Sequence, residues 1–323
     1  YHGSTDPGNL AGKAMDELKI MKTLEENRIR RGLNAKTYRA ANGVNASSFQ
    51  YIDPDRDGCP EIWRAESAGE GEPRIETTAM AVGTALHTHV LEPSNFYNEY
   101  AVLTEQKKDF LYTKAKKSGS KAKGFSRALS TFKAWEEEQK ASGITVLTGE
   151  DMDLISGLSD AVLQCGAAQE FMASEGFEAE LSIFAELPDH NGNLIECKGR
   201  IDAYRPGEIM DLKTTVNTSP KKIGKTIANY KLYIQAAFYL DLAKEAGLAD
   251  DDTKFSWCFI QKQRPHMTTY YTAPDELIKL GRKQYKEFLV QINDGRLTGY
   301  WPHHSQEVNL PPFLIAELHP ANF

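Results

Sequence analysis

Cys197-Lys198-Gly199-Arg200-Ile201-Asp202-Ala203-Tyr204, then Arg205-Pro206-Gly207-Glu208, then Ile209-Met210-Asp211-Leu212-Lys213-Thr214, is the stretch on which the fold turns. Apolar residues alternate with polar ones before and after a Pro-Gly pair, the pattern of two strands joined by a tight turn. Pro followed by Gly suits the central positions of a type II turn, and that register sets Asp202 directly across from Asp211. Facing carboxylates on neighbouring strands lie ~5 Å apart at Cβ and repel unless something positive sits between them. Side chains repeat every two residues along a strand, so Lys213 shares a face with Asp211, and Arg200 with Asp202. Hard oxygen ligands without thiolates suit Mg²⁺ or Mn²⁺, which accept phosphate oxygens as further ligands. A lysine beside such a cation can orient or help deprotonate the attacking water and stabilise charge on the phosphoryl oxygens, which outlines a phosphodiester hydrolase. The competing reading is a solvent-facing hairpin with loosely paired charges. Against it, Asp211 lies among Ile209, Met210 and Leu212, the setting of a central strand where an unpartnered charge is costly.

Working outward, Phe177 to Glu186 and Leu194 to Tyr204 flank Asp189-His190-Asn191-Gly192-Asn193, whose Asn-Gly is a hairpin turn signal. Glu178 and Glu180 could supply another acidic ligand, and alternation on a half-exposed strand explains them as well. Downstream, helices are expected at Pro220 to Asn229 and Leu232 to Ala246, strands at Phe255 to Gln261 and Thr268 to Thr272, and a helix at Asp275 to Asn293.

Upstream the pattern is helical. Lys13 to Arg31 carries Ala14, Leu18, Met21 and Leu24 at helical spacing, with Gly32 as its stop. Asn45 or Ser47 caps a short helix with Phe49 and Ile52 inward, ended by Asp53-Pro54. Thr77 to Glu92 is a stronger helix closed by Pro93, with a buried stripe of Met80, Gly83, His87 and Leu91. Lys107 to Arg127 reads as a mobile basic loop, either solvated surface or a contact to a DNA backbone. Ser126 to Lys140, with Phe132 and Trp135 inward, and Gly149 to Gln164, capped by Thr148 with Asp151, complete the helices. A strand-rich centre between helices is an α/β or α+β domain on a small mixed sheet. The expected division is an N-terminal helical segment over 1–44, the main domain over 45–300 and a C-terminal tail over 301–323.

With 323 residues, 41% hydrophobic and 10% aromatic, the chain can bury a sizeable core, as one large domain or two modest ones. No apolar run approaches the roughly 18 residues of a membrane span, and Tyr1-His2-Gly3-Ser4 lacks a signal-peptide layout, so a soluble cytoplasmic protein is expected. The first residue is not Met, and the chain is expected to be a piece of something longer. Cys59, Cys165, Cys197 and Cys258 form no C-x-x-C pair, against zinc ribbons, redox pairs and a disulfide framework. The net charge of −7 counts against a polyanionic partner unless basic residues are concentrated on one surface.

Four blocks, in order, resemble the RecB-type nuclease domains of the PD-(D/E)XK superfamily, and most closely the RecE-type exonucleases (exonuclease VIII). Gly83-Thr84-Ala85-Leu86-His87-Thr88-His89-Val90-Leu91-Glu92-Pro93 looks like G-x-x-x-H-x-x-x-L-E-P, and Gly199-Arg200-Ile201-Asp202 like G-x-x-D. Met210-Asp211-Leu212-Lys213-Thr214-Thr215 is similar to D-x-K-T-T, and Tyr233-Ile234-Gln235-Ala236-Ala237-Phe238-Tyr239 to Q-x-x-x-Y. The resemblance implies the PD-(D/E)XK fold, with His87, Asp202, Asp211 and the Leu212 carbonyl as metal ligands and Lys213 as the catalytic lysine. Gln235 and Tyr239 would position the DNA or the lysine. Mg²⁺ is the implied cofactor, with Mn²⁺ substituting; the chain lacks the clustered C-terminal cysteines of iron–sulfur relatives, so no such cluster is expected. His89 is expected to be structural, and His303-His304 to be solvated or an adventitious metal site.

The implied activity is digestion of the 5′-ended strand of linear duplex DNA, leaving 3′ single-stranded tails for recombination. A homo-oligomeric ring, a single-strand-annealing partner of the RecT kind and a bacterial or phage origin are implied with it. A ring would reconcile net acidity with DNA binding if the Lys107 to Arg127 segment, Lys221, Lys222 and Lys225 lined its interior, and Arg200, Lys114, Lys116, Lys117, Lys221 and Lys222 are the expected DNA-binding residues. Two alternatives keep the fold: a single-strand or structure-specific nuclease or endonuclease, and a non-catalytic DNA-binding protein.

Overall fold

The computed structural model describes residues 28–72 and 78–304. The first elements are β1 (Ile29–Arg30), α1 (Ala35–Ala40), 3-10 turns at Ala46–Tyr51 and Pro54–Arg56, and α2 (Pro60–Ser67). Next come α3 (Thr78–Leu91), α4 (Phe96–Glu99), β2 (Tyr100–Leu103), α5 (Glu105–Lys117), α6 (Ser130–Ala141), β3 (Thr145–Thr148), α7 (Gly149–Leu163) and α8 (Gly166–Met172). The strand-rich half holds β4 (Glu178–Pro188), β5 (Leu194–Arg205), β6 (Glu208–Thr215), α9 (Pro220–Asn229), α10 (Leu232–Glu245), β7 (Lys254–Gln261), β8 (Thr268–Thr272) and α11 (Asp275–Thr298).

Six strands form one mixed sheet in the order β1-β4-β5-β6-β7-β8, in which β6 and β7 are parallel and the other neighbours antiparallel. This is the expected small mixed sheet flanked by helices. α9 and α10 make the crossover between the parallel strands, as parallel pairing requires. One face packs α10 and α11 around Phe238, Trp257, Tyr285 and Phe288; the other packs α3 and α7 around Leu86, Ile155, Leu158 and Met210. α10 and α11 approach through Gly281, where an added Cβ would lie 2.1 Å from the Tyr233 carbonyl oxygen.

The turn chemistry sets the register as expected. Gly207 has φ +84°, the third position of a type II turn, and the ladder pairs Arg205 with Glu208, Tyr204 with Ile209 and Ala203 with Met210. It stops there, one residue short of the Asp202 and Asp211 pair.

Several local expectations are corrected. The helix expected over Lys13 to Arg31 lies outside the described residues up to position 27, and its last part, Ile29–Arg30, is instead an edge strand paired to β4. The supposed basic loop is largely the helix α5, capped by Thr104 on the Lys107 N–H. α5 and α6 link the short parallel strands β2 and β3 and share a small core of Leu103, Leu111, Ala115, Leu129 and Phe132. Four-residue strands are too short to show a period, which is why this unit escaped pattern reading. In α3 the buried stripe is Val82, Ala85, Leu86 and Val90 with Leu91; Met80, Gly83 and His87 line a cleft instead. Thr148 and Asp151 do form the expected capping box. Among the described residues no helix is long and apolar enough to cross a membrane.

Candidate active site

Where the β5–β6 ladder ends, side chains take over from backbone pairing. The Leu212 N–H donates to Asp202 Oδ2 at 2.9 Å. Above this opening stands His87 from α3, whose Nε2 lies 2.9 Å from the Leu212 carbonyl oxygen. A carbonyl only accepts, so Nε2 donates this hydrogen bond and Nδ1 points the other way. Nδ1 lies 3.4 Å from Asp202 and 4.0 Å from Glu180. A ring nitrogen beside two carboxylates is a donor set that a cation can bridge, and a ring held by its second nitrogen on a carbonyl is how histidine ligands are oriented.

His87, Glu180 and Asp202 offer donor atoms within 4.8 Å of one another, among the described residues the one such group. Glu180 is the member that alternation concealed. It has φ +51°, a left-handed conformation costing about 1–2 kcal/mol outside glycine. The β4–β5 ladder pairs Ala179 with Ala203 and Leu181 with Ile201 but skips Glu180 and Asp202 between them. Leu181 and Ile201 belong to one core, Ala179 and Ala203 to the other, although residues two apart on a strand ordinarily share a face. Both strands therefore rotate at this point, and the rotation carries both carboxylates toward His87. Arg200 holds Glu180 through its Nε and donates from Nη1 to the Leu33 carbonyl at 2.9 Å. The arginine expected on DNA is thus committed to positioning an acid. Burial, and Asp202 beside it, raise the Glu180 pKa against the pull of Arg200 and His87. The hidden signal was arithmetic: a turn over Asp189 to Asn193 pairs Pro188 with Leu194 and so sets Glu180 across from Asp202.

Asp211 and Lys213 form the other half of the site. Asp211 is buried, and Lys213 Nζ donates to its Oδ1 at 2.8 Å. Oδ2 lies 2.6 Å from the same nitrogen but is not aligned for a hydrogen bond, which leaves a buried carboxylate oxygen without a hydrogen-bond partner. The cation beside that oxygen is the Lys213 ammonium, and Asp211, expected as a metal ligand, is not one of the three residues whose donor atoms converge. Burial pushes the Asp211 carboxyl up to about 6, with Lys213 opposing and Asp202 adding to the rise. Burial also works against the Lys213 ammonium, but Asp211 and Asp202 outweigh it and hold its pKa above the usual lysine value. Lys213 is therefore a fixed positive charge here.

From α10, Gln235 lines the cleft and hydrogen-bonds Tyr239, whose phenol burial raises above its ordinary range beside Asp202 and Asp211. Gly199 makes room for this helix: an added Cβ would lie 2.8 Å from Leu242 and 3.1 Å from the Tyr239 ring. Lys198, buried next to it, caps α1 by donating to the Tyr38, Arg39 and Ala41 carbonyls and lies over the Tyr38 ring. Replacing Lys198 with Met leaves those carbonyls without their cation, at a cost of about 1.5–3 kcal/mol for a charge-assisted bond. Faster amide exchange over 35–41, with the sheet still protected, is the expected result.

The site opens into a cleft of about 1480 Å³. Lys222 lines it, whereas Lys221 does not, and Lys114, Lys116 and Lys117 are exposed on α5 outside it. His89 packs edge-on against Phe96, a structural position as expected.

The family described as "PDDEXK-like domain of unknown function (DUF3799)" matches residues 46–311. No curated protein matches the sequence. Among solved structures, the crystal structure of a "Putative exonuclease" from Eubacterium rectale superposes with a TM-score of 0.53 at 13% identity, covering 91% of this chain and 100% of that one. A second, SSO0001, has 17% identity and a TM-score of 0.26 over 58% of this chain and 88% of its own, too low to carry an argument.

Proposed function

Because the chain belongs to the DUF3799 family of PDDEXK-like domains, we propose that it is a divalent-metal-dependent deoxyribonuclease that trims the 5′-ended strand of linear duplex DNA. The observation that carries this is the convergence of His87, Glu180, Asp202 and the Asp211–Lys213 pair at one end of a large cleft. The donor set is imidazole and carboxylate without thiolate, which fits Mg²⁺ or Mn²⁺. His87, Glu180 and Asp202 would hold the ion, with the Asp211 carboxylate beside them ion-paired to Lys213. When bound, the cation would polarise the scissile phosphate and lower the pKa of water.

The protein's own groups supply the rest. Lys213, held positive by its acidic neighbours, is placed to stabilise charge growing on the phosphoryl oxygens. Gln235 and Tyr239 brace this wall, and Arg200 fixes Glu180. The 5′ polarity and the end requirement rest on the resemblance to RecE-type exonucleases, as do a homo-oligomeric ring and an annealing partner of the RecT kind. Duplex labelled at either end, with Mg²⁺ and with EDTA, tests the proposal. Early release of the 5′ label, none with EDTA, and an intact closed circular duplex are the expected results. Early loss of the 3′ label overturns the polarity, and cutting of the circle overturns the end requirement.

A further inference from the structure

α9 presents two faces. Ile223 and Ile227 are buried in the core, while Lys222, Lys225, Thr226 and Asn229, with Tyr230 at the helix end, line the cleft that contains the acidic site. Lys222 and Lys225 have no ion-pair partner among the described residues, nor has Lys262 across the same cleft. The other cleft lysines are engaged: Lys198 on carbonyls, Lys213 on Asp211 and Lys231 on Asp53 and Asp55.

Tyr230 is 61% exposed, and Val216, three residues beyond Lys213, is 70% exposed. Among the described residues the Tyr230 ring has no hydrogen bond, ring contact or cation over it. Its backbone is nevertheless fixed. The Tyr230 N–H bonds Thr226 at 3.0 Å, and the next residue, Lys231, takes a left-handed φ of +49°. Lys231 Nζ is anchored 2.7 Å from buried Asp53 and 2.8 Å from Asp55. An aromatic face is thus held open in a cleft, one to two helical turns (about 7.5–12 Å) beyond two uncommitted cations.

Cations followed by a bare aromatic face match the repeat of a nucleic-acid strand, phosphate then base. We infer that Tyr230 is a stacking platform for an unpaired base of the strand being cut, with Lys222 and Lys225 on its phosphates. Inside a duplex each base face is covered by its neighbours, so the occupant is a nucleotide already peeled from the helix. This rests on the nuclease reading and adds to it a grip on single-stranded character beside the metal site. The ring face, not the hydroxyl, makes the contact.

Two measurements on the full chain test it. Tyr230→Ala is expected to lower kcat/KM on linear duplex by roughly 5- to 100-fold, the loss of one base–aromatic stack, while Tyr230→Phe and Tyr230→Trp retain activity. In a Lys213→Ala background, a short oligo(dT) carrying one 2-aminopurine is expected to be quenched on binding, and the quench to vanish when Tyr230→Ala is added. Melting curves confirm that the variants are folded. Equal kcat/KM for wild type and Tyr230→Ala, or an unchanged quench, overturns the inference while cleavage by the wild type leaves the nuclease reading standing. If the wild type cuts no DNA, that reading fails and the 2-aminopurine titration alone decides the platform.

Discussion

Lys213→Ala is expected to slow phosphodiester cleavage by on the order of 10²- to 10³-fold under single-turnover conditions, with DNA affinity changed far less. The lysine sits at the cleft wall 2.8 Å from Asp211, and its acidic neighbours keep it charged, so its contribution is a preorganised positive charge that matters most as charge develops on the phosphoryl group. Arginine is not expected to replace it, because a planar fork cannot occupy the position of a compact ammonium against a buried carboxylate. Removing the lysine also strands the buried Asp211 without its partner, so the variant should melt at lower temperature. Rates are therefore compared well below that melting point. Cleavage within about 5-fold of wild type would exclude Lys213 from the chemistry, a threshold far below the loss expected for one such group.

The second large effect concerns the cation. Mg²⁺ or Mn²⁺ at saturating concentration is expected to raise the melting temperature of the wild type, by an amount corresponding to about 2.7 kcal/mol at a hundredfold excess over Kd. Asp202→Asn should abolish most of that gain, because Asp202 faces His87 at 3.4 Å while its amide replacement can still accept from the Leu212 N–H. Glu180→Gln separates two roles. A lost metal-induced shift marks Glu180 as a ligand, and an unchanged shift marks it as the partner of Arg200 alone.

The shift should also depend on pH. Asp211 is raised from 3.8 to about 6, so without metal its folded form binds the proton more tightly than the unfolded form. Its contribution to stability is then fully present below the unfolded value and is lost as pH rises through about 6. Cation binding requires the ionised carboxylates, so metal-induced stabilisation should strengthen over the same interval. A metal shift independent of pH between 5 and 7 would remove Asp211 from the coupled set.

Periodicity carried far along this chain. Alternation located β4 to β8 to within a residue or two, and the Pro206-Gly207 turn set the register of the β5–β6 ladder, which ends at Ala203 and Met210, one residue short of the expected Asp202 and Asp211 pair. Helices α9 and α10 were likewise placed by their apolar spacing and by Pro220 at the start. The motif residues His87, Asp202 and Leu212 meet beside Lys213, although the apolar pattern put His87 on the buried stripe of α3 and the alternation of β5 breaks at Asp202. Local pattern was less informative for α5, where a dense lysine run hid the Leu111 and Ala115 stripe, and for β2 and β3, which are too short to repeat.

What the amino-acid order determined by itself is therefore the sheet, its turn and the presence of an acidic pair with a lysine. Tertiary structure alone decided which acids converge. A left-handed Glu180 and a skipped rung rotate two strands together, and strand rotation depends on the neighbours packed above and below, which no period-two pattern records. It likewise decided that Arg200 serves Glu180 and that Lys222 and Lys225 have no ion-pair partner among the described residues, since the partner of a charged side chain is set by distance in space and not by separation along the chain.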